Sequence, residues 1–154
     1  LVTGVQTCAL PIFETPLNAK VLSKPQASGA ILVCASLDSQ EGQDKAKAFE
    51  AIGVEVITMA NANGKVDLPK LFAYLAKERH MNEIHIEAGF KLNGSLLREA
   101  CVDELLLYYA PFLMGEAIGM ANITPLAALD QRQDWQIIDH SLFGSDLRLR
   151  LGKK

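Results

Sequence analysis

The sequence is poor in the residues that announce specialised chemistry. Three cysteines stand among its 154 residues. They form no Cys-x-x-Cys pair and have no histidine nearby, so neither a zinc site nor a disulfide framework is expected. Charge of one sign is lacking too: 15 Lys and Arg face 18 Asp and Glu, a net charge of −3. That balance offers no electrostatic footprint for nucleic acid or an anionic membrane. No apolar run reaches the roughly 20 residues of a spanning helix. There is no internal repeat, no low-complexity tract and no G-x-G-x-x-G fingerprint. A hydrophobic share of 49% and a charged share of 21% are ordinary for one globular domain. The expectation is a reduced, cytoplasmic setting with neither membrane nor nucleic acid as partner.

What is present is an alternation of short apolar runs and amphipathic stretches. Residues 30–35 read as a buried strand, with Cys34 a packed small hydrophobe. Residues 40–52 read as a helix carrying Ala46, Phe49 and Ile52 on one face, closed by Gly53. Residues 54–58 are the next strand and 61–64 a turn. Asp67 reads as the N-cap of a second helix, with Pro69 in its first turn and Leu68, Leu71, Phe72 and Leu75 as its apolar stripe. Lys77, Arg79 and His80 fall in its last turn, opposite the dipole's negative end.

Residues 83–115 hold most of the functional signal. Ile84 and Ile86 alternate with polar neighbours, which predicts a strand ending at Glu87. A turn at Ala88 and Gly89 follows. Leu96, Leu97, Ala100 and Cys101 then recur at helical spacing, so a helix is expected from 93–95 onward. The run 105–110 predicts a strand covered on both faces. Beyond Gly115 the pattern loosens into a connection over 117–130, with a helical turn at 126–129. Strands at 135–139 and 146–151, around Gly144, predict an antiparallel hairpin. The fold class is therefore α/β, a mostly parallel sheet flanked by helices and closed by that hairpin.

In a strand–turn–helix unit, backbone N–H groups and the helix dipole converge at the turn and suit a phosphate. Glu87, beside that turn, can accept hydrogen bonds from a sugar or ring nitrogen. It can equally cap the next helix or pair with a lysine. Gly89 and Gly94 are also readable as simple turn glycines. His85 reads as a core histidine and His140 as a loop residue. Tyr108, Tyr109 and Phe112 fit sheet packing or a subunit contact, since no basic residues interleave with them.

Several short motifs together resemble a known family. Glu87-Ala88-Gly89, Leu92-Asn93-Gly94, Val102-Asp103-Glu104-Leu105, Ala110-Pro111 and Met114-Gly115 resemble the reductase domain of the bifunctional riboflavin-biosynthesis deaminase/reductase. The resemblance spans roughly residues 13–152. It implies a dihydrofolate-reductase-like architecture and an NADPH-dependent 5-amino-6-(5-phosphoribosylamino)uracil reductase acting on a phosphoribosylaminopyrimidine. It implies Glu87 as a substrate contact. It lays Gly89, Phe90, Lys91, Leu92, Asn93, Gly94 and Ser95 along the cofactor's phosphates and ribose, with Lys91 toward the 2′-phosphate. It names no catalytic side chain and no metal ligand, and it implies a homodimer of the full-length protein. The family's zinc deaminase ligands have no counterpart here.

Two stretches depart from that pattern. Ser36-Leu37-Asp38-Ser39 is similar to the family's Ser-Leu-Asp-Gly segment but lacks its glycine and lies too close to Glu87. It reads instead as a loop capping the following helix. Residues 2–12 match the translation of a common sequencing adapter, so residues 1–12, Cys8 included, are expected to be non-native, with a junction near Phe13. Residues 13–154 would then be a partial reductase domain, inactive alone and with an unpaired sheet edge prone to association. Two other readings stand beside this one. The first is a pterin reductase of the same fold. The second is a non-catalytic partner domain offering 105–114 as a dimer surface.

Overall fold

The computed structural model describes residues 6–7, 15–22 and 29–154. Phe13 and Cys8 lie outside the described residues. The chain divides into two units, Leu1–Glu87 and Ala88–Lys154.

In the first unit β1 (Gln6–Thr7), β2 (Ile31–Cys34) and β3 (Glu55–Thr58) form a parallel sheet in that order. Gln6 and Thr7, inside the segment read as non-native, pair with Leu32 and Val33. β2 is buried along its whole length, as a central strand covered on both faces should be. The helix α1 (Gln40–Ala51) begins where Ser39 Oγ accepts the Gly42 amide at 3.1 Å. That bond confirms 36–39 as a capping loop. Ala46 and Phe49 of α1 pack with Leu22, Leu32, Cys34 and Val54. Gly53, at φ 90°, lets the chain turn directly into β3. The helix α2 (Leu68–Lys77) starts at Asp67, whose carboxylate accepts the Lys70 amide at 3.0 Å. Its stripe buries Leu68, Leu71 and Leu75. Arg79 stacks over Tyr74 at 5.3 Å and pairs with Glu55.

Residues 83–87, expected as a strand, form none. Alternation at Ile84 and Ile86 can assign faces, but a strand exists only where a neighbour supplies a ladder, and no ladder includes these residues.

The second unit opens with α3 (Phe90–Arg98) and continues as β4 (Glu104–Tyr109), β5 (Trp135–Phe143) and β6 (Asp146–Lys153). These strands make an antiparallel sheet in the order β4-β6-β5. The hairpin turns at Gly144-Ser145, with Gly144 at φ 63°, as the first position of a two-residue II′ turn requires. The expected helical turn at 126–129 is a 3-10 turn at Leu129–Gln131. β4 differs from its expected environment. It lies antiparallel to β6, with Leu105 and Leu107 half-buried but Leu106 and Tyr108 exposed. A run of apolar residues does not specify how many faces a sheet covers; here the outer face carries the ion pairs Glu104–Arg150 and Asp139–Arg148.

Candidate functional site

The expected glycine turn narrows to one residue. α3 starts at Phe90, about one turn earlier than the leucine spacing suggested, and Gly89 is its N-cap at φ −83°, ψ 174°. Neither Gly89 nor Gly94 uses a positive φ, so conformational freedom is not what either glycine contributes. A Cβ built at Gly89 meets nothing within 4 Å, so close approach does not demand a glycine there either. Gly89 leaves α3 without a side-chain cap. The first-turn N–H groups of a helix have no intrahelical partner, and here no side chain caps them at the positive end of the dipole.

Gly94 does something different. It lies mid-helix and buried, and its would-be Cβ falls 2.2 Å from the Asn122 carbonyl oxygen and 2.8 Å from the Asn122 nitrogen. Only a residue without a Cβ lets the chain at 120–122 cross so close. That strap is fastened on either side of the crossing. The Asn122 N–H donates to the Phe90 carbonyl at 2.9 Å, and the Asn93 side-chain amide donates to the Met120 carbonyl at 2.9 Å. Arg98 donates to the Asn122 carbonyl and, at 3.0 Å, to Ser95 Oγ.

The seven positions implied as cofactor contacts thus divide by environment. Gly89 and Lys91 are exposed at the amino end, and Phe90 and Leu92 are half-buried there. Asn93 and Gly94 are engaged by the strap, and Ser95 is turned to Arg98 and to the Lys91 carbonyl. Glu87 closes the first unit rather than a strand tip. Its side chain is 90% exposed and lies 3.6 Å from His85 Nε2, so His85 is a surface residue rather than a core histidine.

Sequence reasoning did not single out the strap. Its one sequence signal was Gly94, a costly residue inside a helix unless something passes close to it. A cavity of about 400 Å³ lies at the opposite, carboxyl end of α3, lined by Leu97, Arg98, Val102, Gln133, Trp135 and Lys153 among others. Neither Glu87 nor residues 89–95 line it. Among the described residues no group of three or more His, Cys, Asp or Glu side chains is placed to hold a metal ion. No helix among them is long and apolar enough to cross a membrane.

A parallel β/α unit followed by a unit of one helix and an antiparallel sheet makes the chain an α/β protein. The particular family follows from comparison: residues 12–149 match the family model described as the RibD C-terminal domain, and the chain belongs to that family. Riboflavin biosynthesis protein RibD of Haemophilus influenzae is 37% identical over 83 residues, 53% of this chain and 22% of that protein. A Buchnera aphidicola protein named 5-amino-6-(5-phosphoribosylamino)uracil reductase is 31% identical over 93 residues, 60% of this chain and 44% of that one. Among solved structures, Acinetobacter baumannii RibD superposes with a TM-score of 0.72 at 26% identity, covering 92% of this chain and 35% of its own. A Saccharomyces riboflavin biosynthesis reductase shares the fold, with a TM-score of 0.59 at 18% identity. The α/β architecture is thus that of the RibD reductase domains. The chain spans 22% of the length of the first of these curated relatives and 44% of the second.

Proposed function

We propose that this chain is the nicotinamide-nucleotide-binding part of a 5-amino-6-(5-phosphoribosylamino)uracil reductase of riboflavin synthesis, with NADPH as cofactor. Family membership supports the reaction class. The observation that carries the cofactor site is the amino end of α3, uncapped and open above Gly89. Phosphate oxygens there would accept first-turn N–H groups, as at other helix termini that bind anions. Gly89, Phe90, Lys91 and Leu92 would make that contact directly, with Lys91 beside the 2′-phosphate. Asn93, Gly94 and Ser95 complete the segment and hold its shape. Bound NADPH supplies the hydride; the protein's part is to fix it against the substrate's ribosyl carbon.

Glu87 is assigned to the substrate. A charge-assisted hydrogen bond of that kind contributes on the order of 1.5–3 kcal/mol. Glu87→Gln should therefore weaken substrate binding far more than NADPH binding. We place the protein in the cytoplasm and assign the full-length protein a homodimeric state; Tyr108, Tyr109 and Phe112, which fit a subunit contact, are exposed.

Thermal unfolding with added nucleotides tests the reading. NADPH at a hundredfold excess over its Kd should stabilise the chain by about 2.7 kcal/mol, and NADH should do less. Absence of a shift with any nicotinamide nucleotide would overturn the cofactor assignment and favour a non-catalytic partner domain.

A further inference from the structure

α3 has nine residues, fewer than the roughly 12–15 at which an isolated helix starts to hold in water. Its buried residues, Gly94, Leu96 and Leu97, sit at its middle and carboxyl end. Its first turn has no side-chain cap and no buried residue. Something else must hold that turn, and the strap at 120–122 is attached there. Asn122 bonds the carbonyl of Phe90, the first helical residue, and Met120 receives the Asn93 amide. Arg98, a turn further along, reaches back toward the amino end as helical side chains do and grips the same Asn122 from its carbonyl side. Phe90, Gly94 and Arg98 are spaced by four and share one stripe of the helix, along which the strap runs.

We propose that Arg98 is a positioning residue for the nucleotide end of α3. It anchors the strap, and the strap substitutes for the missing cap by fixing the first turn whose N–H groups meet the phosphate. The inference rests on the cofactor site proposed above and adds Arg98 and Asn122 to it. Neither contacts the nucleotide; both act through Phe90 and Asn93.

Calorimetric titration of NADPH into the 154-residue chain provides the test, with the variants Arg98→Ala, Asn122→Pro, the double variant and Arg98→Lys. Asn122→Pro removes the amide that bonds Phe90 and changes no charge. Each single variant should weaken binding about tenfold, the scale of one or two lost hydrogen bonds. The double variant should bind no worse than the weaker single one, because both release the same strap. Arg98→Lys, still able to donate to the Asn122 carbonyl, should recover most of the affinity. Hydrogen exchange at residues 90–93 should quicken in the singles without nucleotide present. Unchanged affinity in both singles overturns the inference, as do effects that multiply in the double variant, which would mean that Arg98 touches the nucleotide itself. If Asn122→Pro loses the parent far-ultraviolet spectrum, Arg98→Ala and its lysine rescue decide alone. A parent chain that binds no nicotinamide nucleotide removes the cofactor reading and this inference with it; a binding parent with indifferent variants removes this inference alone.

Discussion

Replacing Gly94 by alanine sets two opposed effects against each other. Alanine favours a helix interior by roughly 0.5–1 kcal/mol over glycine, so an isolated α3 would gain. In the folded chain the new Cβ would stand 2.2 Å from the Asn122 oxygen and 2.7 Å from its carbonyl carbon. These are backbone atoms, which cannot swing aside as a side-chain tip can. Either the helix and strap separate at an overpacking cost of about 1–3 kcal/mol, or the strap detaches. Detachment loses the bonds from Asn122 to Phe90, from Asn93 to Met120 and from Arg98 to Asn122, each worth about 0.5–1.5 kcal/mol net. The loss exceeds the helix gain on either route, and a net destabilisation of about 1–2 kcal/mol is expected. Urea unfolding measures the sum, and hydrogen exchange at the Asn122 amide distinguishes the two routes. A Gly94→Ala chain as stable as its parent or more so, with that amide still protected, would refute the close crossing.

Further predictions concern the cap, the core and the ion pairs. Ala100 follows α3 at φ 55°, its N–H bonded to Leu97 and that of Cys101 to Leu96, a helix end that favours glycine. Ala100→Gly should stabilise the chain by about 0.5–1 kcal/mol in a denaturant melt; a loss would contradict the left-handed geometry. Phe49 is fully buried, so Phe49→Ala should cost about 3–5 kcal/mol, and a cost below that of a surface substitution would misplace the core. Hydrogen bonding to Arg150 holds the Glu104 carboxyl below the usual glutamate range. A depressed folded pKa means that the pair's contribution is present above the unfolded pKa and fades as pH falls through the folded one. The stability difference between parent and Glu104→Gln should accordingly be steady at neutral pH, vanish in acid and shrink in high salt. A difference that persists in acid would rule out the pair as its source.

The parts of the fold legible in the sequence are those encoded locally. Ser39 and Asp67 announce α1 and α2 because a cap is made by one side chain and an amide three residues on. Gly144 announces the hairpin because a tight turn dictates its own residue. α3 begins about a turn before its leucine spacing, since Gly89 offers no capping side chain and leucine spacing marks only the buried half. The strand expected at 83–87 and the environment of β4 depend on pairing partners, which no window of sequence contains. The strap is the clearest case: residues 120–122 carry no motif, and their position is set by Gly94, Asn93, Phe90 and Arg98, more than twenty residues away. The residues implied at the cofactor site fall on one helix, and the strap at 120–122 decides which of them are covered.

Gly89→Asp tests the central claim most directly. An aspartate at the N-cap supplies the missing cap and should raise helix stability by a few tenths of a kcal/mol, while putting a carboxylate where the phosphate is to sit. The variant should melt no lower than its parent and bind NADPH roughly tenfold more weakly or worse. Undiminished NADPH affinity in that variant would show that the amino end of α3 is not where the nucleotide binds.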